Sequence, residues 1–148
     1  MKVETIELPR QRMAAVRHVG PYWQIGKAFE SLLPTAGALG LAGHPVAAFY
    51  DDPDVVPEEE LRSVAGMLVP ADADLGGLEE VWLPDGRFLK AEYVGHPSGL
   101  PQAWARLYRE YIPDGGHRLR DEITFEIYVS SHDAGPEKMQ TDLYAPIV

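Results

Sequence analysis

The chain contains 148 residues, 45% of them hydrophobic, and it carries a formal net charge of −10 at pH 7. This length predicts one globular domain over residues 1–148 with a sizeable core, and a surface of this sign repels phosphate groups, which argues against nucleic-acid binding by the chain alone. Cysteine is absent, which excludes disulfide frameworks, thiolate metal sites and thiol nucleophiles, and fits a reducing cytoplasm.

Neither an export signal nor a membrane span is expected. Residues 1–20 lack the apolar core of a signal peptide. The apolar stretch 32–49 is interrupted by two prolines and three glycines, so it does not form a continuous spanning helix. We therefore expect a cytoplasmic location and no membrane partner.

Alternating apolar residues predict about eight β-strands, and two apolar stripes with helical spacing predict two main helices. The strands are predicted at residues 3–8, 13–19, 46–50, 61–69, 78–83, 88–94, 123–129 and 139–145. The helical stripes follow the second and the sixth strand, over residues 25–33 and 100–111. Because the helices are few, most strands must pair antiparallel, which indicates an α+β fold. The segment "LPDGR" (83–87) further predicts a hairpin between the fifth and sixth strands.

The two halves of the chain resemble each other. "MAAVRHVGPYWQIGKAFESLL" (13–33) aligns with "FLKAEYVGHPSGLPQAWARLY" (88–108) at a constant offset of 75 residues, from 13 to 88, and matches Gly20 with Gly95 and Phe29 with Trp104. The sequence therefore predicts one sheet-plus-helix unit used twice, in about 1–75 and 76–148, related by a pseudo-two-fold axis. Such an arrangement leaves a central groove at the axis, where a ligand can bind.

Common catalytic and metal-binding motifs are missing from the sequence. The acidic segment "DDPDVVPEEE" (51–60) lacks the register of a calcium loop, and no serine-hydrolase, nucleotide-hydrolase or dinucleotide motif occurs. The histidines show no metal-ligand spacing either; they are His18, His44, His96, His117 and His132. We expect no metal and no cofactor.

The strand "EITFEIYVSS" (122–131) contains a carboxylate in the most apolar stretch of the C-terminal half. Phe125 and Ile127 alternate with Glu126 and Tyr128. The alternation predicts that the two pairs lie on opposite faces of the sheet. If this strand lines a pocket, we expect the first pair to face the helices and core and the second pair to face the cavity side of the sheet. A buried, unpaired carboxylate is costly, so Glu126 is either a solvated strand residue or a binding group.

Several aromatic residues could surround such a carboxylate. Tyr22, Tyr93 and Tyr144 lie at strand or helix ends, where a ring can line a cavity. Trp104 and Tyr108 lie on the helical stripe, a position more often taken by a core residue than by a ligand contact. Together with Glu126 these rings would form an aromatic cage with one acid, which suits hydrophobic cations.

Six segments together resemble the GyrI-like small-molecule-binding family: "VRHVGPY" with "IGKAFESL", then "FYDDPDVVPEEELR", "GLPQAWARLYREYIP", "FEIYVS" and "TDLYAPI". The family includes a gyrase-inhibitory protein, the effector-binding domains of AraC- and MerR-type multidrug regulators, and stand-alone proteins. The resemblance covers about residues 3–148 and implies a duplicated β-α-β-β unit with a central ligand pocket. It implies that Glu126 points into that pocket. The pocket aromatics it suggests are Tyr22, Phe49, Tyr93, Trp104 and Tyr144.

Three functions are compatible with this resemblance. The first is a stand-alone protein that senses or sequesters hydrophobic, often cationic small molecules such as drugs or toxins. The second is a hydrolase of cyclopropane-bearing genotoxic compounds, with Glu126 as general base on a water molecule. The third is inhibition of a protein partner, which would need an exposed patch that the sequence does not locate. The first two require the same residues, so the sequence does not separate them.

Overall fold

The computed structural model describes residues 1–130 and 135–148; Ser131 and His132 therefore lie outside the described residues. In these ranges the chain forms eight strands. They are β1 (Lys2–Leu8), β2 (Gln11–Val19), β3 (Pro45–Phe49), β4 (Arg62–Leu68), β5 (Glu79–Leu83), β6 (Gly86–Val94), β7 (Thr124–Tyr128) and β8 (Gln140–Pro146). Every predicted strand is present, with ends that differ by one or two residues.

Helices follow β2 and β6, as the apolar stripes predicted. The first helix is α1 (Gly26–Ala38), and the second begins as α2 (Leu100–Arg106). The chain continues from α2 through a π-helical turn (Leu107–Tyr111) into a last helical turn, α3 (Ile112–Asp114). Gly20 and Gly95 end β2 and β6 with φ angles of +129° and +151°, a region that favours glycine.

Across the described residues the strands form one antiparallel sheet in the order β1-β6-β8-β7-β3-β4-β2-β5. Only residues 9–10 join β1 to β2, although these strands lie near opposite ends of that order. A two-residue link spans roughly 10 Å, whereas six strand spacings in a flat sheet would cover about 29 Å. The sheet must therefore curl until its two ends come together.

The predicted hairpin between β5 and β6 is wrong. β5 pairs with β2, and β6 pairs with β1 and β8. Residues 84–85 carry the chain across the gap between the two ends of the curled sheet. Arg120 holds this crossing, since its guanidinium donates hydrogen bonds to the carbonyl groups of Asp85 and Arg87, each at 3.2 Å. The local Asp-Gly signal marked a short connection between two strands but did not predict the partner of each strand.

The pairing has two-fold symmetry. With the 75-residue offset, the pair Leu8↔Gly86 of β1 and β6 becomes Leu83↔Gln11 of β5 and β2, which is also observed. The first strand of each half, β1 or β5, therefore pairs with a strand of the other half, β6 or β2. At the centre, an offset of 79 residues (from 47 to 126) maps the pair Ala47↔Glu126 onto itself. The pseudo-two-fold axis thus passes between Ala47 and Glu126.

The two faces of the sheet carry different cores. The face inside the curl has no helix on it within the described residues and buries Val46, Phe88 and Phe125 together, from the middle and the ends of the sheet. The outer face packs against the helices, α1 on Ala65 and α2 on Leu143. Consequently the predicted orientation of β7 is wrong: Phe125 and Ile127 face away from the helices, and Glu126 and Tyr128 face them. Phe125 and Ile127 are therefore buried inside the curled sheet, and not between the sheet and the helices as predicted.

None of the helices in the described parts of the chain is long and apolar enough to cross a membrane.

Candidate functional site

Glu126 lies at the middle of the outer face, between the parts of the sheet that α1 and α2 cover. Its cross-strand neighbours are Ala47 on β3 and Leu143 on β8. Only 5% of its surface is exposed. The structure therefore places a carboxyl group near the pseudo-two-fold axis and shields it from bulk water, rather than leaving it as a solvated strand residue.

The two carboxyl oxygens of Glu126 have different surroundings. Oε1 accepts a hydrogen bond of 2.9 Å from the indole Nε1 of Trp104 on α2. Oε2 is buried and accepts no hydrogen bond from any described residue. The Tyr128 hydroxyl lies close enough to the carboxyl group to lower its pKa, although it makes no hydrogen bond with Oε2 in this arrangement. One oxygen is thus occupied and the other is unpaired.

Burial controls the protonation of this group. Desolvation raises the pKa of Glu126, and the Trp104 indole and the Tyr128 hydroxyl oppose that rise. Desolvation also raises the pKa of Tyr128 well above its usual value, with a further contribution from the neighbouring Glu126. Tyr128 therefore keeps its proton at neutral pH.

Two aromatic pairs lie on either side of the carboxyl group. Phe49 and Trp104 meet edge to face with ring centroids 6.4 Å apart, and Phe29 and Tyr128 do the same at 5.9 Å. The pseudo-two-fold exchanges these pairs, since Phe29 corresponds to Trp104 by the 75-residue offset and Phe49 to Tyr128 by the 79-residue offset. Each pair joins one helix to one central strand, so the site has an aromatic wall on both sides of the axis.

The wall that contains Trp104 extends towards solvent. Tyr22 packs on Phe49 at 4.8 Å, and Tyr108 stacks on Trp104 at 5.7 Å. The Tyr22 hydroxyl donates to the carbonyl groups of Asp51 and Arg62 and accepts from the Asp51 N–H, at 2.9–3.1 Å. This ring therefore connects the acidic segment 51–60 to the aromatic wall.

Six carboxylates lie in the acidic segment 51–60 at this end of the site, and one of them, Asp51, is paired with Arg62 at 2.8 Å. Trp23, which is 76% exposed, donates from its indole to Glu58 at 3.0 Å. Burial raises the pKa of Tyr108 to about 12, and nearby Asp52 adds to the rise. The rim beside Tyr22 and Tyr108 thus combines exposed aromatic rings with carboxylates from the acidic segment.

The predicted site residues do not all come together. Tyr22, Phe49 and Trp104 form one connected group that reaches Glu126. Tyr144 lies on the inner face, stacked on Phe125 at 4.7 Å, because even-numbered residues of β8 point away from the helices. The hydroxyl of Tyr93 donates to the His96 carbonyl at 2.7 Å at the end of β6, two strands away from β7. The structure brings neither of these two to the carboxyl group.

Three residues of the site were not among the pocket aromatics that the family resemblance suggested: Phe29, Tyr108 and Tyr128. The sequence had placed Tyr108 on the helical stripe and Tyr128 on the same face as Glu126. Phe29 was recoverable from the sequence, since the 75-residue repeat matches it with Trp104. Tyr128 corresponds to Phe49 only through the 79-residue offset, which comes from the strand pairing. Tyr108 reaches Trp104 within the π-helical turn that follows α2. No sequence pattern used above predicts that turn.

The described residues contain no cluster of three histidine, aspartate or glutamate side chains that could hold a metal ion. The groups at the centre of the site are the Glu126 carboxyl group, the Trp104 indole N–H and the Tyr128 hydroxyl, with aromatic rings around them.

A family model described as the GyrI-like small molecule binding domain matches residues 1–148. The chain belongs to this GyrI-like family. Among named relatives, the DNA gyrase inhibitor of Edwardsiella piscicida is 29% identical over 143 residues, which cover 93% of this chain and 92% of the relative.

Two solved structures share the fold of this chain. A hydrolase from Listeria innocua is 19% identical with a TM-score of 0.70, and the match covers 99% of this chain and 92% of the hydrolase. The protein SAV2435, solved bound to tetraphenylphosphonium, is 14% identical with a TM-score of 0.70, and the match covers 100% of this chain and 94% of SAV2435. At these identities the likeness shows the fold alone.

Proposed function

We propose that this GyrI-like protein binds a hydrophobic, positively charged small molecule between its two helices, with the charged group of the ligand against Glu126. The observation that carries the proposal is the carboxyl group itself. It is buried, one of its oxygens is unpaired, and aromatic pairs flank it on both sides of the pseudo-axis.

The positive charge that would pair with Glu126 has to come from a ligand. No lysine or arginine of the described residues forms an ion pair with it. Leaving a carboxylate buried without a partner is costly, and a cation would offset that cost. The faces of Trp104, Phe49 and Tyr128 would add cation–π attraction and apolar contact.

The charge of the whole chain supports the same class of ligand. A net charge of −10 and the acidic rim near Tyr22 raise the local concentration of cations. SAV2435, which shares the fold, was solved with tetraphenylphosphonium, itself a hydrophobic cation. Because Glu126 is buried, a ligand would have to displace side chains at the surface of the site to reach it; Tyr108 is 37% exposed and forms the outer layer of the stack on Trp104, so its displacement would leave the Trp104–Glu126 hydrogen bond in place.

Calorimetry with a matched ligand pair tests this proposal. The probes are trimethyl(1-naphthylmethyl)ammonium and its neutral carbon isostere, in which carbon replaces the quaternary nitrogen. We expect Glu126→Gln to weaken the cation by about tenfold or more and to leave the isostere unchanged, because only the cation loses a buried charge partner. Tyr144→Phe, on the opposite face, is the control and should change neither. Equal affinities for the two probes in wild type and variant would refute the proposal.

A second candidate is hydrolysis of cyclopropane-bearing compounds. The observation in its favour is that burial raises the pKa of Glu126, which moves the carboxyl group towards the range of a general base, with the Tyr128 hydroxyl beside it. In such a reaction the carboxylate would take a proton from water while the oxygen attacks a ring carbon; the ring C–C bond would break, and its electrons would take up a proton. Incubation with a cyclopropane-bearing electrophile, followed by mass spectrometry, separates the two functions. Ring-opened product beyond one equivalent of protein indicates an enzyme, and a stoichiometric complex indicates a binder.

A further inference from the structure

We infer that the site selects cations that carry a single N–H donor, that is protonated tertiary amines, over quaternary cations and over amidinium groups. This inference rests on the proposed function and narrows its ligand class. It follows from the unequal state of the two carboxyl oxygens of Glu126 and from the apolar surroundings of the site.

Oε1 of Glu126 already accepts a hydrogen bond of 2.9 Å from the indole N–H of Trp104. Trp104 is held in place by the Tyr108 ring stacked on one side and by the edge-to-face contact with Phe49. An indole is a donor only, so this bond does not reverse. A ligand that binds without displacing Trp104 can therefore donate a hydrogen bond to Oε2 of Glu126 but not replace the bond to Oε1.

Oε2 of Glu126 is buried and accepts no hydrogen bond from the described parts of the chain. A quaternary cation supplies charge but no hydrogen, so the oxygen would stay unpaired after binding. A protonated tertiary amine supplies both the charge and one N–H. A charge-assisted hydrogen bond in such a site changes affinity by about ten- to a hundred-fold.

Ligands with several N–H donors fit this carboxyl group less well. An amidinium group pairs best with both oxygens of a carboxylate, and the Trp104 indole already donates to one of these oxygens in Glu126. Its remaining N–H groups would face the rings of Phe29, Phe49 and Tyr128, where only the Tyr128 hydroxyl could accept a hydrogen bond. Each buried donor without an acceptor lowers affinity.

The centre of the site offers a partner for one positive charge of a ligand. The pseudo-two-fold maps Glu126 onto Ala47, so the axis carries one carboxyl group instead of two. A second positive charge deep in the ligand would have no partner at the symmetry-related position. The site therefore suits a monocation.

Three probes on one naphthalene scaffold test the inference by calorimetry at pH 7. They are dimethyl(1-naphthylmethyl)amine, its N-methylated quaternary form, and naphthalene-1-carboximidamide. We expect the wild-type protein to bind the tertiary amine about tenfold or more tightly than either of the others. In Glu126→Gln the ratio of amine to quaternary affinity should fall close to one. In Tyr144→Phe the ratio should stay at its wild-type value.

A second variant tests the role of Trp104. Trp104→Phe removes the indole N–H and frees Oε1, so the amidinium probe should gain affinity relative to the amine. Absence of that gain would overturn the argument from the occupied oxygen.

Failure of the inference differs from failure of the proposed function. If the quaternary probe binds wild type as tightly as the amine, and Glu126→Gln weakens both, the inference is wrong and cation binding stands. If Glu126→Gln weakens none of the three probes, both are wrong. The wild-type comparison decides the inference even if a variant fails to fold.

Discussion

The buried carboxyl group should lower the stability of the protein, and Glu126→Gln is expected to reverse this at alkaline pH. Burial raises the pKa of Glu126, so the folded state binds this proton more readily than the unfolded chain does. Its favourable contribution to folding is complete below the unfolded pKa of about 4.3 and is lost as the pH rises through the folded-state pKa. Glutamine stays neutral throughout, so wild type and variant should diverge with increasing pH.

The size of the effect follows from the geometry of the carboxyl group. Glutamine keeps an oxygen that can accept the Trp104 N–H, and it replaces the unpaired Oε2 by an amide NH₂ beside the Tyr128 hydroxyl. A buried unsatisfied polar group costs about 1–3 kcal/mol. We therefore expect the variant to be more stable by about 1–3 kcal/mol at pH 8.5. For a chain of this size that corresponds to an increase in Tm of roughly 3–10 °C. At pH 4 the difference should approach zero.

Urea denaturation of both proteins between pH 4 and pH 8.5, followed by tryptophan fluorescence and circular dichroism, measures this difference. Glu30→Gln is the matched control for the substitution itself, because Glu30 is exposed on α1. A Glu126→Gln difference that is constant with pH, or a variant that is less stable at pH 8.5, would refute the assignment of a raised pKa to this group.

Two further predictions concern the rim and the surface charge. Tyr22→Phe should destabilise the protein by about 1–2 kcal/mol in urea denaturation, because it leaves the Asp51 N–H without its acceptor; Ser63→Ala, which removes a buried hydroxyl without a hydrogen-bond partner among the described residues, is the control and should not destabilise. The purified protein should not retard duplex DNA at physiological salt, and a retardation that weakens steeply with added salt would contradict the argument from its charge of −10.

Much of the fold was predictable because local patterns in this chain are strong. Period-two alternation located every strand, and apolar stripes located both helices, since these periods reflect backbone geometry alone. The internal repeat predicted two equivalent halves, and the pairs Leu8↔Gly86 and Leu83↔Gln11 agree with it. Its boundaries near residues 75 and 76 stay a prediction. Glu126 was singled out by sequence because a carboxylate in an apolar strand conflicts with its surroundings.

Only the tertiary structure decided which face of the sheet the helices cover. Alternation separates Phe125 and Ile127 from Glu126 and Tyr128, but it does not say which set the helices cover. That depended on the curl of the sheet, which buries Phe125 and Tyr144 inside and leaves Glu126 under the helices. The partners of β5 and β6 depended on the same curl, because strand pairing is a long-range contact and the turn between them specifies only a change of direction.

The contacts of Glu126 also lie beyond the sequence. Trp104 and Glu126 are 22 residues apart, and whether the indole N–H reaches Oε1 depends on how α2 packs on β7 and β8. The unpaired state of Oε2 depends on every group that packs around it. Sequence thus identified the acid and the aromatic character of its surroundings, because these follow from residue type and local period. Only the packing of the helices on the curled sheet decided which oxygen is free, because that depends on contacts between segments far apart in the chain.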